Sequence, residues 1–280
     1  GYNSLKEISS GAYNVAVGSG AGAAITTGSN NAVMGTSAGD ALTIGHSNVA
    51  IGGAALGAEV EGYAITAVGY GAFSSANRNG GSNTGSAILN SSVGVGYLAG
   101  TSTTTGNTNT FVGGHCAFAN TTGARNVVLG YSAFYAPTTA NDCVALGNDA
   151  MGGCAGGQAY SGVVAVGKDA VKGSGSTTTG INGTVAIGMD ALTSLTSGAE
   201  NVALGFMSAY TLTTGGQNVA IGNKALETHL TGIRNIAIGA YAMGDTNAGT
   251  TAQDSDDNIA IGFSALGGEW VNNKSEHNIA

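Results

Sequence analysis

Asn218-Val219-Ala220-Ile221-Gly222-Asn223-Lys224-Ala225-Leu226 is followed, seventeen residues on, by Asn235-Ile236-Ala237-Ile238-Gly239-Ala240-Tyr241-Ala242-Met243. The same string stands upstream as Asn48-Val49-Ala50-Ile51-Gly52 and downstream as Asn258-Ile259-Ala260-Ile261-Gly262. Its glycine can serve as an anchor, recurring as Gly1, Gly18, Gly35, Gly52, Gly69, Gly96, Gly113, Gly130, Gly147, Gly167, Gly188, Gly205, Gly222, Gly239 and Gly262. Ten of the fourteen intervals are 17 residues and the others are 27, 20, 21 and 23. A fixed period broken only by additions is the signature of stacked coils with looped-out insertions. The spacing predicts an all-β chain, a parallel β-solenoid or β-roll of about fifteen short coils over residues 1–280. At about 4.8 Å per coil such a stack is a rod on the order of 70 Å long. Insertions are expected near 74–90, 152–162, 172–183 and 244–257. Gly1 lacks a preceding strand and Asn278-Ile279-Ala280 opens a further unit, so the repeat reads as a segment of a longer chain.

Composition supports the repeat against a globular core. Fifty glycines, one proline, 9% charged residues and 6% aromatics leave few large side chains in 280 residues. Ala, Val, Ile, Thr, Ser and Asn suit short strands, tight turns and a thin interior. Collagen is excluded because glycine does not recur every third residue, and disorder because bulky aliphatics recur in phase. The net charge of −8 offers no basic stripe for nucleic acid and no polybasic patch for anionic lipid. No apolar run approaches the ~20 residues of a membrane helix. The expected partners are neutral, sugar-like, or cations held locally.

Within the unit, the residue before the anchor is always a bulky aliphatic, as in Val17, Met34, Ile51, Leu129 and Ile221. Two residues earlier stands another β-branched side chain, as in Val15, Val49 and Ile236, so period two marks a strand of about four or five residues. This pair of rows reads as the coil interior. Between them Ala recurs in ten units, among them Ala16, Ala50, Ala186 and Ala220, and reads as a small outer face packed against another chain. Three residues after the anchor Ala recurs again, often followed by Leu56, Phe73, Phe134, Met151, Leu192 or Leu226, which predicts a second core-facing element. The anchor glycine takes a dihedral, or a closeness of approach, that a Cβ forbids. Thr-Thr-Gly strings mark turns, and an Asn four residues before the anchor (Asn14, Asn31, Asn48, Asn109, Asn126, Asn201, Asn218, Asn235, Asn258) stacks above its neighbours or caps its turn.

Gly123-Ala124-Arg125-Asn126-Val127-Val128-Leu129-Gly130-Tyr131-Ser132-Ala133-Phe134 resembles the 17-residue units of bacteriophage tail-fibre shafts. The Asn-Val-Ala-Ile-Gly strings resemble the head repeats of trimeric autotransporter adhesins, whose unit is shorter. The resemblance covers essentially the whole chain. It implies a homotrimeric extracellular fibre, on a virion tail or a bacterial surface, that attaches to a host-surface glycan or protein. The alternatives are a bacterial adhesin or filament and, in a different class, a fibre-borne polysaccharide depolymerase.

Residues that carry chemistry are sparse. His46, His115, His229 and His277 share no register, and no Ser/His/Asp arrangement or phosphate loop is present, so no catalytic, cofactor or metal residue is assigned and no enzyme is expected. Asp254-Ser255-Asp256-Asp257 is the densest acidic cluster, read as a solvated loop with Ca²⁺ as the sharper alternative. Cys116 sits in an Ala slot and reads as a buried thiol, and a Cys143–Cys154 bridge stays open. Recognition is expected at the insertions, or along the aromatics Tyr70, Tyr97, Tyr131, Phe206 and Phe263 that follow the anchor. Those rings either shield turn backbone and neighbouring coils or stack on sugars.

Overall fold

A computed structural model describes residues 1–75, 91–173, 178–244, 255–267 and 279–280. The chain divides into two compact units, Gly1–Asn141 and Asp142–Ala280. The first holds β1 (Val15–Val17), β2 (Ala32–Met34), β3 (Val49–Ile51), β4 (Thr66–Val68), β5 (Val93–Val95), β6 (Thr110–Val112) and β7 (Val127–Leu129). The second holds β8 (Val144–Leu146), β9 (Val164–Val166), β10 (Val185–Ile187), β11 (Val202–Leu204), β12 (Val219–Ile221), β13 (Ile236–Ile238) and β14 (Ile259–Ile261). Each strand has three residues and pairs in parallel with the next in its unit, one strand per coil, so the fold is a parallel β-solenoid. Register is kept even where the interval lengthens. Ala145 stands opposite Ala165, and Ala165 opposite Ala186, so the additions are absorbed outside the strands.

The two faces of the strand are the reverse of the sequence expectation. Ala50, Ala67, Ala145, Ala186 and Ala220 are fully buried, and so is every described residue at the strand centre from Val33 to Ala260. The flanking aliphatics point outward: Val15 is 58% exposed, Leu129 53% and Ile261 60%. Alternation at period two fixes which residues share a face but leaves open which face is inside. Occupancy decides it. The interior is already filled from the opposite wall by Ile25, Leu42, Leu56, Phe73, Phe134, Met151, Leu192 and Leu226, all fully buried, which leaves room for little more than a methyl at the strand centre.

Exceptions to the Ala row show the same volume rule. Where the strand centre is Gly94, a Cβ there would lie 2.6 Å from the Phe73 ring, which takes up the space. Where the strand centre is Phe111, the opposite wall carries Gly100, whose Cβ would lie 2.7 Å from that ring. Phe73 and Phe111 then meet at a centroid distance of 5.8 Å. The second core-facing element exists, but as a run of turns rather than a strand. Its direction changes use positive φ at successive coils, as at Leu56 (53°), Leu192 (52°) and Leu226 (55°). Ladder bonds continue through it, for example Leu56 N–H to the Ala72 carbonyl at 2.9 Å.

The anchor glycine meets both conditions expected of it. Gly52 has φ +126°, and a Cβ there would lie 2.6 Å from the Gly69 carbonyl group of the next coil. The Asn row forms a buried amide ladder. Asn31 Nδ2 donates to Asn14 Oδ1 at 3.0 Å and to the Gly45 carbonyl at 2.8 Å, while Asn31 Oδ1 accepts from the N–H and Nδ2 of Asn48. Asn201, Asn218, Asn235 and Asn258 repeat the pattern. Each rung satisfies donors and acceptors that burial would otherwise strand at a cost of about 1–3 kcal/mol apiece. Beside it runs a threonine ladder, with Thr213 Oγ1 donating to the Leu230 carbonyl at 2.8 Å and Thr196 Oγ1 to that of Thr213 at 2.9 Å.

Candidate interaction surface

The outward strand face of each unit carries exposed apolar side chains. In the first, Val15, Val17, Met34, Ile51, Val127 and Leu129 are exposed, and in the second Ile187 and Ile261, with Leu146, Val166, Leu204, Ile221 and Ile238 half-buried. In-register pairing lines these side chains up in two rows, aliphatic throughout at the strand end and interrupted at the strand start by Thr66 and Thr110. Apolar side chains held in line by a rigid backbone, with no polar residue in the strand-end row from Val17 to Ile261, are what a contact with another protein surface requires. The sequence does contain this signal, since a solvent-facing row would drift toward Ser, Lys or Glu, but the same test was passed by the Ala row.

The aromatics after the anchor form a second surface, concentrated in the first unit. Tyr70 and Tyr97 lie nearly parallel, 16° apart with centroids at 5.7 Å. Tyr97 meets His115 at 5.2 Å, His115 meets Tyr131 at 5.9 Å and Phe118 at 5.7 Å, and Phe118 stacks on Tyr135 at 5.0 Å. A Cβ on Gly53 would lie 3.1 Å from the Tyr70 ring, and one on Gly114 would lie 3.4 Å from that of Tyr131. These rings thus cover bare glycine backbone in the preceding coil, while staying 59% and 60% exposed. Shielding of the turn backbone is therefore part of what they do. Phe206 stands apart, and Phe263 meets Tyr241 edge-on at 6.1 Å.

The insertions behave differently from one another. The 74–90 insertion lies outside the described residues except for Ser74 and Ser75. The 152–162 insertion, expected to loop outward, turns partly into the interior. Cys154 is fully buried, and the buried Tyr160 hydroxyl lies 2.9 Å from the Ala155 carbonyl and 2.8 Å from that of Thr178. Ile181 and Thr178, from the 172–183 insertion, are buried as well. Gly157, Gly162 and Gly180 are the open tips, with nothing within 4 Å of an added Cβ. Cys116, Cys143 and Cys154 are buried thiols, none of them in a disulfide. Burial pushes Cys116 up to about 12 and Cys143 up to about 11, so neither is a nucleophile at neutral pH.

The carboxylates are used locally. Asp256 Oδ1 accepts the Ile233 N–H at 2.8 Å, and Asp257 holds the Arg234 guanidinium through both oxygens. Asp254 and His277 lie outside the described residues. Asp149, Asp169 and Asp190 occupy the same slot, two residues past the anchor, in successive coils. Asp169 is drawn upward by burial, but Lys172 at 2.8 Å and Lys168 at 3.1 Å outweigh that and hold it below the usual range. A general acid needs the opposite shift. Glu59 has it: fully buried, with Oε1 accepting the Glu61 N–H at 3.1 Å and Oε2 without a hydrogen bond, it is pushed up to about 7 by desolvation. It is sealed from solvent, however. Among the described residues no group of His, Cys, Asp and Glu is arranged to hold a metal ion, and no helix is long and apolar enough to cross a membrane. In comparisons with known proteins, no family model and no curated protein matches the chain.

Proposed function

We propose that the chain is a structural segment of an extracellular fibre, of the phage tail-fibre kind, in which three copies pack through their outward aliphatic rows and carry a host-attachment surface. The observation that supports this most is the row pair itself: Val, Ile, Leu and Met held outward on successive strands while the Ala row between them is buried. In a cyclic assembly whose axis runs along the coil stack, each strand meets the same strand of its partners at every level, so one repeated pattern serves the whole contact. Burying such a side chain fully contributes about 1.5–3 kcal/mol relative to exposure, and repetition over many coils makes the sum large. Three-fold symmetry and the phage setting come from the sequence resemblance, and the function is reach and multivalent attachment rather than catalysis.

Sedimentation equilibrium tests this reading. The expected mass is three times the 27.1 kDa of the chain. Lysines introduced together at Leu129 and Ile187 are expected to give the single-chain mass with an unchanged β-sheet circular dichroism spectrum. A wild-type chain that stays monomeric at high concentration removes the proposal.

A further inference from the structure

We infer that the aromatic array of the first unit, Tyr70, Tyr97, His115, Tyr131, Phe118 and Tyr135, is a binding track for an extended, neutral, β-linked glycan. Three observations carry it. First, the array is local. In the second unit the slot of Tyr70, Tyr97 and Tyr131 holds Asn148, Lys168, Met189, Asn223 and Ala240 between Phe206 and Phe263, and that of His115 holds Asp149, Asp169 and Asp190 before Tyr241, so the rings that meet there are the pair Tyr241 and Phe263. A ring needed to build the coil would appear in every coil, so a run of six rings in mutual contact, against a single pair in the second unit, points to a partner of the first unit.

Second, the exposed ring surface is available. Tyr70 and Tyr131 lie over Gly53 and Gly114, where a side chain would otherwise stand, and each remains more than half exposed, as does Tyr97. Solvent-exposed tyrosines offer an apolar body with a polar tip, which suits a ligand that alternates C–H faces with hydroxyls. Third, none of the six residues bears a formal charge with histidine neutral, although the chain carries −8 in all. An ionic ligand would find no counter-charge in the array, and an apolar protein surface has the strand face to cover. Tyr70, Tyr97, His115 and Tyr131 set one ring per coil at centroid steps of 5.2–5.9 Å, with Phe118 and Tyr135 as second rings in the last two coils, and a straight β-linked glycan can follow that line where a helical α-linked one curves away.

The inference rests on the fibre reading only for its biological role, because the array belongs to a single chain. The test titrates the whole chain with cellohexaose and with chitohexaose, following tyrosine ring resonances by NMR and heat by calorimetry, with maltohexaose as the curved comparison. The expected result is saturable binding of at least one β-linked oligomer, shifts at Tyr70, Tyr97 and Tyr131, and about tenfold loss of affinity in Tyr97→Ala. Phe263→Ala, which removes an exposed ring outside the array, leaves affinity unchanged. Absence of binding to both β-linked oligomers, or binding that survives Tyr97→Ala combined with Tyr131→Ala, overturns the inference. Equal binding of maltohexaose overturns its β-linked form. Sedimentation of the same samples separates the two readings: a trimer that binds no glycan removes this one, and a monomer that binds removes the other.

Discussion

The regular coils around Asn31 and Asn218 differ from the lengthened coils between Gly147 and Gly188 in how they close the interior. In the regular coils the residue seven before the anchor is mostly glycine, as in Gly28, Gly45 and Gly215, with the next coil's backbone directly against it. In the lengthened coils that slot holds Tyr160 and Ile181, both fully buried or nearly so. The Asn ladder changes with it. Its slot passes from Asn126 to Cys143, Val163 and Thr184 before returning to Asn201, and Ile65 and Ser92 replace Asn on either side of the 27-residue interval. A rung needs the next coil's carbonyl at close range, and in the lengthened coils between Gly147 and Gly188 Val163 and Thr184 stand in place of the amide. The 23-residue interval is the exception: Asn235 still reaches the Ser255 carbonyl at 2.8 Å, so its addition leaves the rung intact. The seventeen-residue period is thus the length at which polar rungs reach and glycine contacts fit.

Breaking a close contact should have the largest effect. Gly222→Val places a branched side chain at φ +137°, where even a Cβ would lie 2.5 Å from the Gly239 carbonyl oxygen. A loss of more than about 4 kcal/mol, read as loss of a cooperative thermal transition, is expected. The burial of Glu59 should come next. Its pKa is about 7 in the fold against an ordinary 4.5, so the folded state holds the proton more tightly. Stability is therefore greatest below the unfolded value of 4.5 and falls as pH rises toward and through 7, by about 3 kcal/mol in all. Denaturant melts of wild type and Glu59→Gln across that window should diverge, with the slope assigned to Glu59 absent from the variant.

Removing a polar rung should cost somewhat less. Asn218→Ala strands the Gly232 carbonyl, which accepts from its Nδ2, and the Asn235 N–H, which donates to its Oδ1, and should lose about 2 kcal/mol in denaturant melts. Val163→Asn, in a lengthened coil, should destabilise rather than restore a rung, and a stabilised variant would contradict the comparison. The smallest effect belongs to an open insertion tip. Gly157→Ala meets nothing within 4 Å, so only its φ of +78° matters, and about 1 kcal/mol is expected in the same melts.

Much of this was legible in the residues. Gly52 and its equivalents announced the coil length, and Ala55-Leu56 announced a buried second wall. The Asn row announced stacked amides. The strand faces were not legible, because Ala50 and Ile51 are both apolar and alternation carries no sign. The sign is set by Leu56, Phe73 and their equivalents across the coil, whose volume excludes a second large side chain. The inward course of Tyr160 was hidden as well, although the loss of Asn at 143, 163 and 184 was a readable trace of the wider coils. The aromatic array was half legible: Tyr70, Tyr97 and Tyr131 shared a slot, while His115, Phe118 and Tyr135 joined it only through the fold.

The face assignment and the packing of copies meet in one measurement, mild oxidation of Ile51→Cys and Ala50→Cys followed by mass analysis without reductant. The native thiols are buried, and Cys116 already occupies a small buried slot of the same kind as Ala50. The account predicts covalent inter-chain dimers from Ile51→Cys and none from Ala50→Cys. Dimers from Ala50→Cys, or none from either variant, would contradict it.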